Sequence, residues 1–216
     1  MSEFQRENRR RTRRYVIVFA CLFFVLLLIL YANVSVGTVA LREDLVSQTI
    51  LWRIRLPRVC LAMILGGALA LSGFLLQTFF ENPIAGPYIL GISSGAKLTV
   101  TLSMLLTLTR LRTTSAAINV VAAFIGALLS TGFILLISKR VQHMASILIG
   151  GIMIGYVASA ITDFLITFAE DADIVNLHGW SLGSFSGADW QDVLVSLAVV
   201  GVTMALIFAM SKQIGA

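Results

Sequence analysis

Charge is scarce in this sequence. Only 12% of its 216 residues are Asp, Glu, Lys or Arg while 58% are hydrophobic, whereas soluble domains carry about 25% charged residues. A water-soluble globular domain is excluded. Cysteine is scarcer still: Cys21 and Cys60 fall in successive apolar runs, near opposite ends. At about 1.5 Å rise per residue they lie roughly 20 Å apart, well beyond the about 7 Å that a disulfide tolerates. Both read as small buried apolar residues. The two histidines, His143 and His178, have no cysteine or carboxylate beside them at metal-ligand spacing, so metal catalysis is not expected. Gly-x-Ser-x-Gly, His-Glu-x-x-His and paired carboxylates within apolar runs are also missing, which argues against a membrane enzyme. Gly91 to Leu98 has the glycines and lysine of a phosphate loop, but Ala96 separates Gly95 from Lys97 and Leu98 stands where Ser or Thr is required. The chain is not expected to hydrolyse ATP or to hold a cofactor.

Long apolar runs are what the sequence does have. Six cover residues 15–34, 59–80, 88–108, 116–138, 145–168 and 193–210. Each is close to the roughly 20 residues a helix needs to cross about 30 Å of hydrocarbon, and none shows the short alternating pattern of a membrane β-barrel. The expected fold is all-α: a polytopic membrane bundle of about six transmembrane helices. Small residues recur on single helix faces at Gly66, Ala70 and Gly73 with Gln77, at Ala122, Gly126 and Ser130, and at Gly151, Gly155 and Ser159. Such faces let helix backbones approach closely, so each is expected to pack against another helix. Pro57 is placed to start the second helix, and Asn82-Pro83 with Gly86-Pro87 to force a rigid turn at its other end.

The surplus of positive charge is a topology signal, not a nucleic-acid one. Arg6, Arg9, Arg10, Arg11, Arg13 and Arg14 immediately precede the first run, which puts a basic segment, 1–14, in the cytoplasm and the membrane domain at 15–216. The first run is too long for a signal peptide and no A-x-A site follows, so it stays as an anchored helix. In this orientation nine Lys and Arg lie inside, among them Lys212, six lie outside, among them Arg42 and Arg112, and Lys97 lies within a span. The outer segments Val36–Arg58 and Ala169–Asp192 are where a soluble partner could meet the chain. Trp180 and Trp190 serve such a surface or anchor helices at the interface. Lys97 either snorkels or has a function, and Asp163 either lines a polar passage with Ser159 or reaches the outer interface. Asn33-Val34-Ser35 matches a glycosylation sequon but sits at the membrane boundary, where an acceptor is poorly reached.

One ordered series is more specific than any single motif. It runs Arg55-Leu56-Pro57-Arg58, Gly66-Gly67-Ala68-Leu69-Ala70-Leu71-Ser72-Gly73, Glu81-Asn82-Pro83-Ile84-Ala85-Gly86-Pro87 and Leu90-Gly91-Ile92-Ser93-Ser94-Gly95-Ala96. It continues through Ile147-Leu148-Ile149-Gly150-Gly151 and Trp180-Ser181-Leu182-Gly183-Ser184 with Trp190. This series resembles the FecCD-type permeases, membrane subunits of ATP-binding-cassette importers for iron-siderophores, haem and vitamin B12. The resemblance implies a bacterial cytoplasmic membrane location, a second permease subunit, two cytoplasmic ATPase subunits and an extracytoplasmic substrate-binding protein. It nominates Arg55 and Arg58 to receive acidic residues of the binding protein and Asn82, Ile84 and Ser146 for a cytoplasmic gate, while Ser159 and Asp163 are pathway candidates by their own polarity within a span. It puts an iron chelate first as cargo, with vitamin B12 or haem as alternatives. Members of the family usually carry about ten spans, with coupling helices after the sixth. A chain stopping at Lys212-Gln213-Ile214-Gly215-Ala216 is therefore expected to be truncated or completed by another polypeptide, and alone not to couple ATP hydrolysis to transport. The other reading is a non-transporting membrane fragment.

Overall fold

The structure, a computed structural model, describes residues 3–35, 45–111, 116–141 and 143–210. These form helices joined by turns, with no strand among the described residues. In chain order they are α1 (Glu3–Ser35), α2 (Leu45–Ile50), a π-helical turn (Leu51–Arg55), α3 (Leu56–Phe79), α4 (Ile92–Leu111), α5 (Ala116–Ser138), α6 (Met144–Ile166), α7 (Asp171–Leu182) and α8 (Trp190–Ala209).

Among the described residues, five stretches are long and apolar enough to cross a membrane: Arg9–Ser35, Gln48–Phe79, Ala117–Ser138, Met144–Ile166 and Trp190–Ala209. The third apolar run gives α4, a 20-residue helix from Ile92 to Leu111. The run's first residues are instead wound into consecutive turns, with Ile89 and Leu90 N–H donating to the Gly86 carbonyl and Gly91 N–H to that of Tyr88. The architecture is the all-α membrane bundle that composition predicts. Lipid-facing character is plain on α1, where Phe19, Phe23 and Leu26 are all exposed. Cys21 is exposed there too and Cys60 is half-buried, so neither is the fully buried residue expected: apolar side chains in a membrane gain by facing hydrocarbon as well as protein.

Two local features also depart from expectation. The second membrane helix does not begin at Pro57 but runs back through the π-turn to Leu45, and the acidic segment after α6 folds as α7. Asp171 and Asp173 sit in the first turn of α7, where negative charge favours a helix N-terminus.

The chain divides into two compact units. One comprises residues 1–65 and 185–205, the other 66–184 and 206–216. Within the second, α4 packs on α5 and α6. A cluster of Phe80, Ala85, Leu90, Ile134, Ile147 and Leu148 closes one end, and Val100, Met104 and Leu177 form another, with Trp180 against it. The small-residue faces of α5 and α6 make these contacts. A Cβ on Gly126 would strike Thr99 Oγ1 and the Gly95 carbonyl, and one on Gly91, which has φ +71°, would lie 2.6 Å from Gly155 N and 2.7 Å from Gly151 O. Thr99 Oγ1 reinforces the α4–α5 crossing by donating to Ala122 O at 2.7 Å. The third small-residue face behaves differently: a Cβ on Gly66 or Gly73 would meet nothing within 4 Å. Among the described residues that face of α3 is open.

Candidate functional site

The sequence singles out the arginines around Pro57, and in the first unit they turn inward as well as outward. The backbone N–H of Leu56 donates to the carbonyl of Leu51, the i to i−5 pattern of a π-turn. Continued by one residue, that pattern would bring the N–H of position 57 to the carbonyl of Trp52, but proline has none. The indole Nε1 of Trp190 donates to that carbonyl at 2.8 Å. Arg55, half-buried, donates from Nη1 to Val34 O at 2.7 Å and to Ser35 O at 3.4 Å. These are terminal carbonyls of α1, which lack intrahelical donors and favour a cation. Arg58, also half-buried, donates from Nη2 to the carbonyl of Ser186. Its Nε is buried with no hydrogen-bond partner among the described residues.

Arg55 and Arg58 therefore fasten backbone segments of their unit while remaining partly accessible. Arg53, on the same π-turn, is exposed, as are its neighbours Trp52 and Ile54. It lies outside the Arg-Leu-Pro-Arg element, and sequence reasoning passed over it. Arg42 and Arg112 lie outside the described residues, as does Lys212.

In the second unit, α3 ends in a Schellman motif. Asn82 N–H donates to Gln77 O at 3.1 Å and Glu81 N–H to Thr78 O at 3.3 Å, with Glu81 at φ +49° in the position that normally takes glycine. Asn82 Oδ1 then accepts from Ile84 N–H at 2.9 Å, and Asn82 O from Ala85 N–H at 3.1 Å. This fixes the turn so that Ala85 is 1% exposed and Ile84 67% exposed. Ala85 and Leu90 pack in one cluster with Ile147 and Leu148, next to Ser146 in the first turn of α6. Asn82, Ile84 and Ser146 thus share one end of this unit, with Ser146 exposed and its N–H donating to His143 O at 3.0 Å.

The pathway residues are less united. Ser159 Oγ lies 3.3 Å from Ser94 Oγ, in the α4–α6 contact, while Asp163 is exposed one turn further on. Neither lines the shallow apolar crevice between α4, the end of α6 and α7, whose walls include Met104, Leu105, Ile166 and Leu177. Lys97 is half-buried on α4. No group of three His, Cys, Asp or Glu capable of holding a metal occurs among the described residues.

This arrangement, an arginine-rich rim beside a π-turn and an Asn-Pro turn seated on the start of α6, accompanies a family match over residues 16–216. The chain belongs to the FecCD transport family. It is 32% identical over 203 residues to the vitamin B12 import system permease protein BtuC of Escherichia coli O127:H6, covering 92% of this chain and 60% of the relative. The BtuC of Klebsiella pneumoniae is 35% identical over 196 residues, covering 90% and 58%. Among solved structures, an inward-facing protein described as of the metal-chelate ABC transporter type superposes with a TM-score of 0.77 at 22% identity, over 93% of this chain and 64% of that one. The likeness to that structure bears on fold alone. The chain spans about 60% of the length of the curated relatives it matches.

Proposed function

We propose that this chain provides membrane helices of a permease subunit in an ATP-binding-cassette importer of the bacterial cytoplasmic membrane, and that its cargo is a bulky metal chelate. The observation that carries this reading is the family match across 16–216. Relatives at 30–35% identity are named vitamin B12 import permeases. The shared chemistry is a metal ion enclosed in a large organic ligand, of which a ferric siderophore and vitamin B12 are the two cargoes to compare.

In this reading residues 1–14 are cytoplasmic and 15–216 form the membrane domain. A substrate-binding protein docks on the outer rim through acidic side chains that meet Arg55 and Arg58, with Arg53 beside them. The chelate then moves along α6 past Ser159 and Asp163. Two ATPase subunits drive a rearrangement against a second permease subunit, opening a gate at Asn82, Ile84 and Ser146. The event is conformational, not covalent. Hydrolysis belongs to the separate subunits.

The test is uptake of radiolabelled ferric siderophore and of radiolabelled cobalamin into cells lacking their own permease and expressing this chain continued by the C-terminal helices of a full-length relative, with its ATPase and binding protein. One chelate is expected to accumulate. Joint Arg55→Glu and Arg58→Glu substitution should abolish that uptake and the binding-protein association while leaving membrane levels intact. Unchanged association would remove the docking assignment, and uptake of neither chelate would leave the non-transporting fragment as the better reading.

A further inference from the structure

The basic start of α1 does more than set topology: we infer that it forms a binding collar for anionic phospholipid headgroups. The helix is continuous from Glu3 to Ser35, so the arginines are rigidly joined to the membrane span. Arg9, Arg10, Arg11, Arg13 and Arg14 are all exposed. At about 100° per residue they fall within an arc of roughly 200° around the helix, leaving Thr12 on the remaining side. Arg14 lies about 1.5 Å and Arg9 about 9 Å along the axis from Tyr15, where the apolar run begins. The headgroup layer on each side of the hydrocarbon is itself only about 5–8 Å deep. Tyr15, 65% exposed, is the aromatic residue expected at that boundary. The collar therefore lies at the level of lipid phosphates.

A second consideration points the same way. Arg9 and Arg13, and Arg10 and Arg14, are i,i+4 pairs of like charge, a spacing that is destabilising in an isolated helix, and Arg10 and Arg13 are neighbours at i,i+3. Anions from outside the helix relieve that repulsion. Arginine suits the task because its planar fork pairs with two phosphate oxygens at once. Phosphatidylglycerol and cardiolipin supply such phosphates beside a transmembrane helix, and basic residues at this position attract them.

The experiment reconstitutes the full chain in phosphatidylcholine vesicles with trace spin-labelled phosphatidylglycerol or spin-labelled phosphatidylcholine, and measures the motionally restricted fraction of each. The expected result is a preference for the anionic probe of about fivefold at low salt, corresponding to one arginine's attraction at the surface. It should fall towards unity in high salt and in a variant carrying Arg9→Gln, Arg10→Gln, Arg13→Gln and Arg14→Gln. The matching lysine variant should keep at least half the preference, which separates charge from fold. Both leaflets carry the probe, so inverted insertion of the glutamine variant does not disturb the reading. Equal association of both probes with the native chain, or an undiminished preference in the glutamine variant, overturns the inference. Binding of soluble glycerophosphate in place of the lipid probe would also overturn it, by showing a free-anion site.

Discussion

The indole of Trp190 donates a hydrogen bond to the carbonyl of Trp52, 138 residues away in sequence, at 2.8 Å. That carbonyl is the one Pro57 leaves without a donor in the register set by Leu56 N–H and Leu51 O. Replacing Trp190 with Phe should cost about 0.5–1.5 kcal/mol, the net worth of one hydrogen bond at an exposed site. Pro57→Ala restores a backbone N–H, so the cost of Trp190→Phe should shrink in that background. Unfolding titrations in mixed micelles for the two single variants and the double variant measure the coupling; strictly additive losses would show that the two residues are unrelated.

Glycine substitutions should separate into two classes. Gly91→Ala forces a Cβ to within 2.6 Å of Gly155 N at a φ of +71°, and a loss of at least about 2–3 kcal/mol is expected from clash and backbone strain together. Gly66→Ala meets nothing within 4 Å and should be neutral or stabilising by up to about 1 kcal/mol, since alanine is the better helix former. Thermal aggregation midpoints in detergent rank the two; equal losses would contradict the packing described for α4 and α6.

Glu81 holds a left-handed conformation, φ +49°, at the end of α3. Glycine there removes about 1–2 kcal/mol of steric cost, so Glu81→Gly should raise the melting temperature. If the turn at Asn82 has to move during transport, the same substitution should alter uptake rate without altering binding-protein affinity. A neutral effect on melting would mean that the strain is relieved elsewhere in the turn.

Ile84 and Phe185 are exposed, at 67% and 43%, in turns at the ends of membrane helices. With Cys21 and Cys60 replaced by Ala, Ile84→Cys should react with a membrane-impermeant thiol reagent only in inside-out vesicles, and Phe185→Cys only in intact spheroplasts. The reverse pattern would invert the cytoplasmic assignment of residues 1–14.

The apolar runs made the membrane helices legible because a span must be both long and uniformly apolar. The start of α4 was not, since Tyr88 to Leu90 are as apolar as a helix but are wound into turns between Pro87 and Gly91. The helix upstream of Pro57 was hidden for a related reason. Proline normally marks a first turn, and here a π-turn carries the chain through it, with Trp190 donating to the carbonyl of Trp52. The faces of Gly126 and Gly155 were correctly read as packing surfaces, while a similar small-residue face at Gly66 and Gly73 met no neighbour: spacing specifies a face, not what covers it. The rim arginines were visible as charges, but their hydrogen bonds to the carbonyls of Val34 and Ser186 join residues far apart in sequence and carry no local pattern. The exposure of Arg53 has no signature in the sequence beside the more conspicuous pair that follows it.

The contact of Gly91 with Gly155 has a genetic consequence. Every missense change available to a glycine codon introduces a side chain; at Gly91 its Cβ would lie 2.6 Å from main chain of α6, and at Gly155 3.0 Å from the Cα of Gly91. In a saturation library scored for membrane expression Gly91 should therefore stand out as depleted for every substitution, alanine and serine included, and Gly155 for every side chain larger than these.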